Sequence, residues 1–249
     1  MISKNLIKRT LQYHKELYHE TFVVKPSLPI LYFGDLKRYK SSNIKVVTVG
    51  KNPSDNEFRI SKSDSFSFVR FPKWRNTEGN LIETLNAYFR TIPLKNWFSS
   101  FEPILNGMDC SYYGRKAQNI VIHTDICSPI ATSPTWSNLK KIEQEKLFTE
   151  GHQIWLELLE ELQPDYILVS IPIALFSKVV KTEGKKIISF KEKKDGSPRK
   201  KNYEVSLHKF QLKSGKTTNV IFGSAANKPF DTITNEQKKE IGKEVKKID

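Results

Sequence analysis

The chain has 249 residues, 41 of them Lys or Arg against 27 Asp or Glu, so it carries a formal charge of +14. With 38% apolar and 11% aromatic residues it can close a sizeable core, and its length fits one large α/β domain or two small ones. No apolar run approaches the roughly 20 residues that cross a bilayer. The N-terminal stretch shows no apolar segment ahead of a small-residue cleavage site, so a cytoplasmic protein without membrane attachment is expected. Two cysteines, Cys110 and Cys127, are too few for a disulfide scaffold or a four-thiolate cluster. The five histidines show no metal-ligand spacing such as HExxH, so neither a metal cluster nor a cofactor is expected.

In chain order, Asn5 to His19 reads as a short helix with Leu6, Leu11, Leu17 and Tyr18 as its apolar positions, followed by a proline-broken segment from Val23 to Pro29. The β-branched run Ile44 to Gly50 reads as a first strand, which Gly50 ends and KNPSDNEF follows as a polar turn. An aromatic loop, SFSFVRFPKW, then precedes a helix from Leu81 to Phe89. Phenylalanines at 58, 66, 68, 71, 89, 98 and 101 suit either plain packing or a surface wrapped over a pocket. Asn119 to Thr124 reads as a second strand that delivers DICSPIATSPTW. The spacing of apolar residues from Asn138 to Leu162 is helical, and Pro164 ends that helix. Tyr166 to Ile171 and Asn219 to Gly223 read as third and fourth strands, with a closing helix near Asn235 to Lys247.

Strands alternating with helices imply an α/β three-layer sandwich: a central four-stranded parallel sheet flanked by helices. Ligands in such sheets sit beyond the carboxyl ends of the strands, which singles out the loops at 51–58, 125–136 and 224–230. The whole of 1–249 is expected to be one domain, with 1–43 an N-terminal helical segment and 183–216 a basic β-hairpin insertion.

That insertion locates the charge. Between Lys178 and Lys216 thirteen Lys or Arg stand against four acids, a net of +9. The turn signal Asp195-Gly196 sits between IISF and YEVSLHKF. A hairpin of this charge is either a phosphate-contacting arm or a solvated surface that keeps the protein soluble. The chain has no GxGxxG and no GxxxxGK[ST], and Ser214-Gly215-Lys216-Thr217 lacks the upstream glycine of a P-loop.

The segment VVTVGKNPSDNEF resembles the first motif of the uracil-DNA glycosylase superfamily: a first strand ending in Gly, two variable residues and Pro, here Gly50, Lys51, Asn52 and Pro53. The resemblance runs over about residues 44–245 in the order of elements, its specificity resting on that short motif and on topology. It implies that Asn52 holds the hydrolytic water, an Asn matching the mismatch-specific and single-strand-selective branches better than the main uracil branch, which has Asp. It implies that Phe66 or Phe68 lies against a flipped base, and that a polar residue at the end of NIVIHTD, His123 or Asp125, reads the base edge. The last motif, usually His-Pro-Ser after the fourth strand, falls at GSAANKPF. No His is present, and Ser224 to Asn227 occupy the place. Asn227 and Lys228 are left to donate to the base or a phosphate in its stead.

Hydrolysis of an N-glycosidic bond needs an extruded nucleotide, a pocket that stacks and hydrogen-bonds the base, and stabilisation of charge on sugar and leaving group. Asn52 orients water without being a base, so the rate rests on positioning and electrostatics. Asp125 serves as general base, as base-edge acceptor or as a cap for the Pro-rich turn. His123 is a core histidine or a donor to the base. Lys51 is a solvated loop lysine, a phosphate ligand or, as an amine, an imine former, and with Gly50 and Pro53 it is among the base-binding candidates that the resemblance implies. Lys193, Lys194, Arg199, Lys200, Lys201 and Lys228 are the DNA-binding candidates. The expectation is a monomeric DNA glycosylase that removes uracil or a modified pyrimidine, the altered last motif suiting repair or defence against modified viral DNA. The alternative is a catalytically silent DNA- or nucleotide-binding member of the same fold. A magnesium-dependent nuclease needs clustered carboxylates, for which only Asp55, Glu57 and Asp125 stand near the strand ends.

Overall fold

The computed structural model describes residues 2–59, 68–72, 74–75, 78–114, 117–225 and 228–248. In chain order its elements are α1 (Lys4–Leu17), α2 (Leu36–Lys40), β1 (Val46–Gly50), α3 (Glu78–Ala87), α4 (Lys95–Phe98), α5 (Glu102–Gly107), β2 (Cys110–Ser111), β3 (Asn119–Ile120), β4 (Ile122–Asp125), α6 (Lys141–Leu162), β5 (Tyr166–Val169), α7 (Ile173–Val179), β6 (Lys185–Glu192), β7 (Pro198–Gln211), β8 (Thr217–Gly223) and α8 (Asn235–Val245). The class is α/β, as the alternation of strands and helices implies. The sheet has the order β4-β1-β5-β8-β7-β6, and helices flank it. β2 and β3 form a separate two-stranded pair.

The expected four-stranded parallel sheet is therefore corrected to a mixed sheet of six. β1 pairs with β5, and β5 with β8, in parallel. β7 then adds to β8 in antiparallel register from Val205↔Gly223 to Gln211↔Thr217, and β6 adds to β7. The physical reason is link length. Residues 212–216, between β7 and β8, and 193–197, between β6 and β7, are short enough only to reverse the chain, whereas parallel neighbours need a crossover of a dozen or more residues. Gly196 (φ +78°) and Gly215 (φ +88°) supply the left-handed backbone these turns require. The basic insertion is thus a hairpin, as Asp195-Gly196 signals, and it also extends the sheet. Its strands are largely exposed and bury a few side chains: Phe190, Tyr203 and Val205 are buried while Lys191, Lys200 and Lys201 are exposed.

The chain divides into two compact units. The first comprises Met1–Lys40, Gly50–Leu94 and Ile122–Gln163. Here α1 buries Leu6, Ile7, Thr10, Tyr13 and Leu17, a spacing of three to four, while Leu11 is only half-buried and Tyr18 exposed. Tyr13 donates to the Leu147 carbonyl of α6 at 2.8 Å, and Arg9 pairs with Glu150 and Glu157 on the same helix. α6 in turn lies against the segment after β4: a Cβ on Gly151 would stand 2.5 Å from the Cys127 carbonyl oxygen. His152 Nδ1 donates to the Ile126 carbonyl at 3.0 Å, and Trp155 Nε1 donates to Thr124 Oγ1 at 3.1 Å. This packing fixes the backbone from which Asp125 projects.

The second unit comprises Ser41–Val49, Lys95–Val121 and Pro164–Asp249. Residues 46–49 are all buried, as in a strand covered on both faces. α5 and α8 approach backbone to backbone, since a Cβ on Gly242 would overlap the Ile104 carbonyl oxygen. Among the described residues no helix is long and apolar enough to cross a membrane.

Candidate functional site

The site is assembled by two loops that run side by side. Gly50, at the end of β1, accepts from the Ile126 amide at 3.0 Å, Lys51 accepts from Cys127 at 2.8 Å, and Pro53 accepts from Thr132 at 3.1 Å. These three backbone bonds bind the segment after β1 to the segment after β4, so Asn52 and Asp125 are brought onto one framework.

Asn52 is held by its amide nitrogen. Nδ2 lies 2.9 Å from the Pro53 carbonyl, 3.2 Å from the Ile130 carbonyl and 2.9 Å from Thr132 Oγ1. Carbonyl oxygens only accept, so the nitrogen must face them and the amide has a single orientation. Its Oδ1 is then turned the other way and receives no hydrogen bond from a described residue. The arrangement presents a fixed acceptor to a water or a ligand.

Asp125 is 7% exposed, and its carboxyl takes no hydrogen bond from any described residue. Its nearest polar neighbour is His123 Nε2 at 3.8 Å, beyond hydrogen-bond range. Gly50 permits this crowding: a Cβ there would stand 2.5 Å from Asp125 Oδ1 and 3.2 Å from His123 Nε2. Burial pushes the Asp125 carboxyl well above the usual carboxylate range, and the charge of Glu57 pushes it further. Burial also pushes His123 down to about 3, so its ring is neutral at physiological pH and offers Asp125 no counter-charge. The ring stacks on Phe33 at 6.3 Å between centroids, and the backbones of the two residues exchange hydrogen bonds of 2.8 and 2.9 Å. Of the two roles open to His123, this surrounding is that of a core histidine touching the carboxyl.

Glu57 is the residue that sequence reasoning underrated. It lies in a short turn of 3₁₀ helix, Asp55–Glu57, and is buried. Tyr88 donates to its Oε2 at 2.5 Å, and burial raises it to about 7 against the opposing effects of Tyr88 and Arg70. Arg70 is itself buried, with its guanidinium donating to the Asn56 and Ile92 carbonyls at 3.0 and 2.6 Å. Local sequence offered no signal for this role, because a Glu in a polar turn is ordinarily solvated and its burial comes from Tyr88, 31 residues downstream.

Lys51 donates from Nζ to Ser137 Oγ at 2.7 Å, and burial lowers its pKa. Phe58 and Phe71 are fully packed, whereas Phe68 is half-buried with φ +69°, a left-handed conformation that is costly for a bulky side chain. Its ring meets Phe58 edge-on at 5.8 Å and lies 6.5 Å from Trp74. Phe66 lies outside the described residues. Gly50, Lys51, Asn52, Pro53, Phe68, His123 and Asp125 all belong to the first unit.

The basic candidates belong to the second. Lys193 and Lys194 are exposed in the β6–β7 turn, Lys200 and Lys201 are exposed on β7, and Lys228 is exposed after β8. Arg199 is already engaged: it donates to the Glu192 carbonyl at 2.9 Å and to the Thr232 carbonyl, and it lies 5.6 Å from the centroid of the Tyr203 ring. At the place of the last motif, Ser224 accepts from Tyr203 through its carbonyl at 2.8 Å, while Asn227 lies outside the described residues. Among the described residues no group of three His, Cys, Asp or Glu is placed to hold a metal ion.

Compared with known protein families, with characterised proteins and with solved structures, the chain has no significant match.

Proposed function

We propose that the chain binds DNA and hydrolyses the N-glycosidic bond of an extruded uracil or modified pyrimidine. The observation that carries this reading is Asp125: a buried carboxyl without a hydrogen-bond partner among the described residues, its protonated form favoured by burial, on the same framework as the oriented amide of Asn52. A neutral carboxylic acid both donates through O–H and accepts through C=O. That pair complements a lactam edge, an N–H beside a C=O, which uracil, thymine and their derivatives present. In this reading Asp125 reads the base edge and its proton offsets the negative charge that develops on the departing base. Asn52 Oδ1 accepts from the attacking water and aims it at the sugar carbon. Burial favours the protonated form of Asp125, and that form is no general base, so of its roles base-edge recognition is favoured. Among the described phenylalanines of this loop, Phe68 is the one available to cover the base, since Phe58 and Phe71 are committed to packing.

The test is incubation of end-labelled DNA carrying uracil, mismatched thymine or glucosylated hydroxymethylcytosine, followed by alkali to cleave abasic sites. Strand breaks with one of these substrates are expected. Binding without breaks on any of them would leave the silent DNA-binding reading in place, which the missing His of the last motif favours.

The basic strands supply the DNA-binding surface in this proposal. Replacing Lys193, Lys194, Lys200 and Lys201 with Gln, and leaving the engaged Arg199 alone, is expected to reduce the slope of log K against log salt by about 0.9 for each phosphate that is no longer neutralised. An unchanged slope would make the tract a solubility feature.

A further inference from the structure

The first unit also contains a cavity of about 570 Å³, within the size range of small-molecule sites. Its apolar lining is aliphatic, made by Ile2, Ile7, Leu36 and Ile82, and among the described lining residues there is no aromatic face on which a base or sugar ring would stack. Three exposed lysines, Lys4, Lys37 and Lys40, are among its lining residues. Asn86 adds a fourth polar group. Its Oδ1 is occupied by Tyr32 Oη and the Leu36 amide, both at 3.1 Å, so its NH₂ is what remains to face a ligand. Among the described lining residues there is no carboxylate, and the polar side-chain groups left available are all donors. A ligand complementary to these walls has an aliphatic body and a head that is anionic and only accepts.

Gly79 stands at this cavity near the start of α3. A Cβ added there would meet nothing within 4 Å, and its φ lies outside the left-handed range. Neither packing nor backbone geometry asks for glycine, and its lack of a side chain leaves the cavity open.

We propose that this cavity binds a free single-chain fatty acid, with the acyl chain against Ile2, Ile7, Leu36 and Ile82 and the carboxylate among Lys4, Lys37 and the Asn86 amide. The site is independent of the Asn52 and Asp125 reading. The test is calorimetric titration of the full chain with sodium decanoate, with decanol and inorganic phosphate as comparison ligands. Saturable binding of decanoate is expected, at least ten-fold tighter than decanol, with none for phosphate. Gly79→Phe, which fills open space, is expected to weaken decanoate at least ten-fold, and Lys4→Gln with Lys37→Gln to reduce its advantage over decanol. Decanoate that fails to saturate, or that binds no better than decanol, overturns the proposal, as does unchanged binding by folded Gly79→Phe. Should Gly79→Phe not fold, the exposed lysine pair decides: an unaltered preference for decanoate overturns the proposal, and abolition of that preference supports it.

Discussion

Asn52→Ala is expected to lower the single-turnover rate of base release by about 100-fold or more, the scale of a positioned group that orients or stabilises the reacting atoms, while DNA affinity stays near that of the parent protein. The reason lies in the geometry of the amide. Its nitrogen is committed to the Pro53 and Ile130 carbonyls and to Thr132 Oγ1, so its oxygen is the one atom of the side chain free to hold water. The same geometry predicts that Asn52→Asp fails to rescue. A carboxylate has no hydrogen to offer those acceptors, and turning an oxygen toward two carbonyls costs the about 1–3 kcal/mol of an unsatisfied buried pair. Asp at the matching motif position therefore requires a different surrounding from the one Thr132 and Ile130 provide. Single-turnover rates with circular dichroism and binding measured on the same samples check this. Unchanged turnover in Asn52→Ala would place the chemistry in another loop.

Glu57→Gln has the second largest expected effect, and it is seen in stability. The Glu57 carboxyl has an ordinary value of 4.5 and is raised to about 7 by burial. Between those two values the native state holds a proton that the unfolded state has released, so stability falls as pH rises. The decline is complete above about pH 7 and corresponds to about 3 kcal/mol. Glutamine keeps an acceptor for Tyr88 and cannot ionise. Relative to the parent, Glu57→Gln is therefore expected to be slightly less stable near pH 4.5 and more stable by up to about 3 kcal/mol at pH 8. His14 and His123, both lowered by burial, make the opposite contribution: stability is lost as pH falls below their ordinary 6.5 toward about 4 and about 3. That contribution is common to both proteins and cancels in their difference. Urea unfolding of the two proteins at pH 5 and pH 8 reads the effect directly. A difference that does not change with pH would mean that Glu57 is ionised throughout. Because the Glu57 charge also raises Asp125, the same substitution should shift the alkaline limb of the activity profile to lower pH.

The parts of this molecule visible along the chain are those set by neighbours in sequence. The run Ile44 to Gly50 implies a strand, and β1 runs Val46–Gly50, because a β-branched run stopped by Gly is a local signal. The helix before Pro164 ends at Leu162 for the same kind of reason, while its start moves from Asn138 to Lys141 because Trp136–Asn138 forms a 3₁₀ turn first. Asp195-Gly196 marks the hairpin turn, since a positive φ is a demand that one residue meets. What a strand pairs with is different. Nothing in Pro198 to Gln211 states that it lies beside β8, and only the short link from Leu212 onward makes the antiparallel addition compulsory.

The candidate site divides along the same line. The sequence alone determined the α/β class, the strand ends that carry polar loops, and the presence of Asn52 and Asp125 in two of them. Tertiary structure decided their chemistry: which way the Asn52 amide turns, that burial favours the protonated form of the Asp125 carboxyl, and that Glu57 lies close enough to matter. Those properties follow from burial and from neighbours such as Thr132, Tyr88 and His123, brought in by the fold. A side chain's charge state depends on the dielectric and the charges around it, and no residue carries those in its own identity.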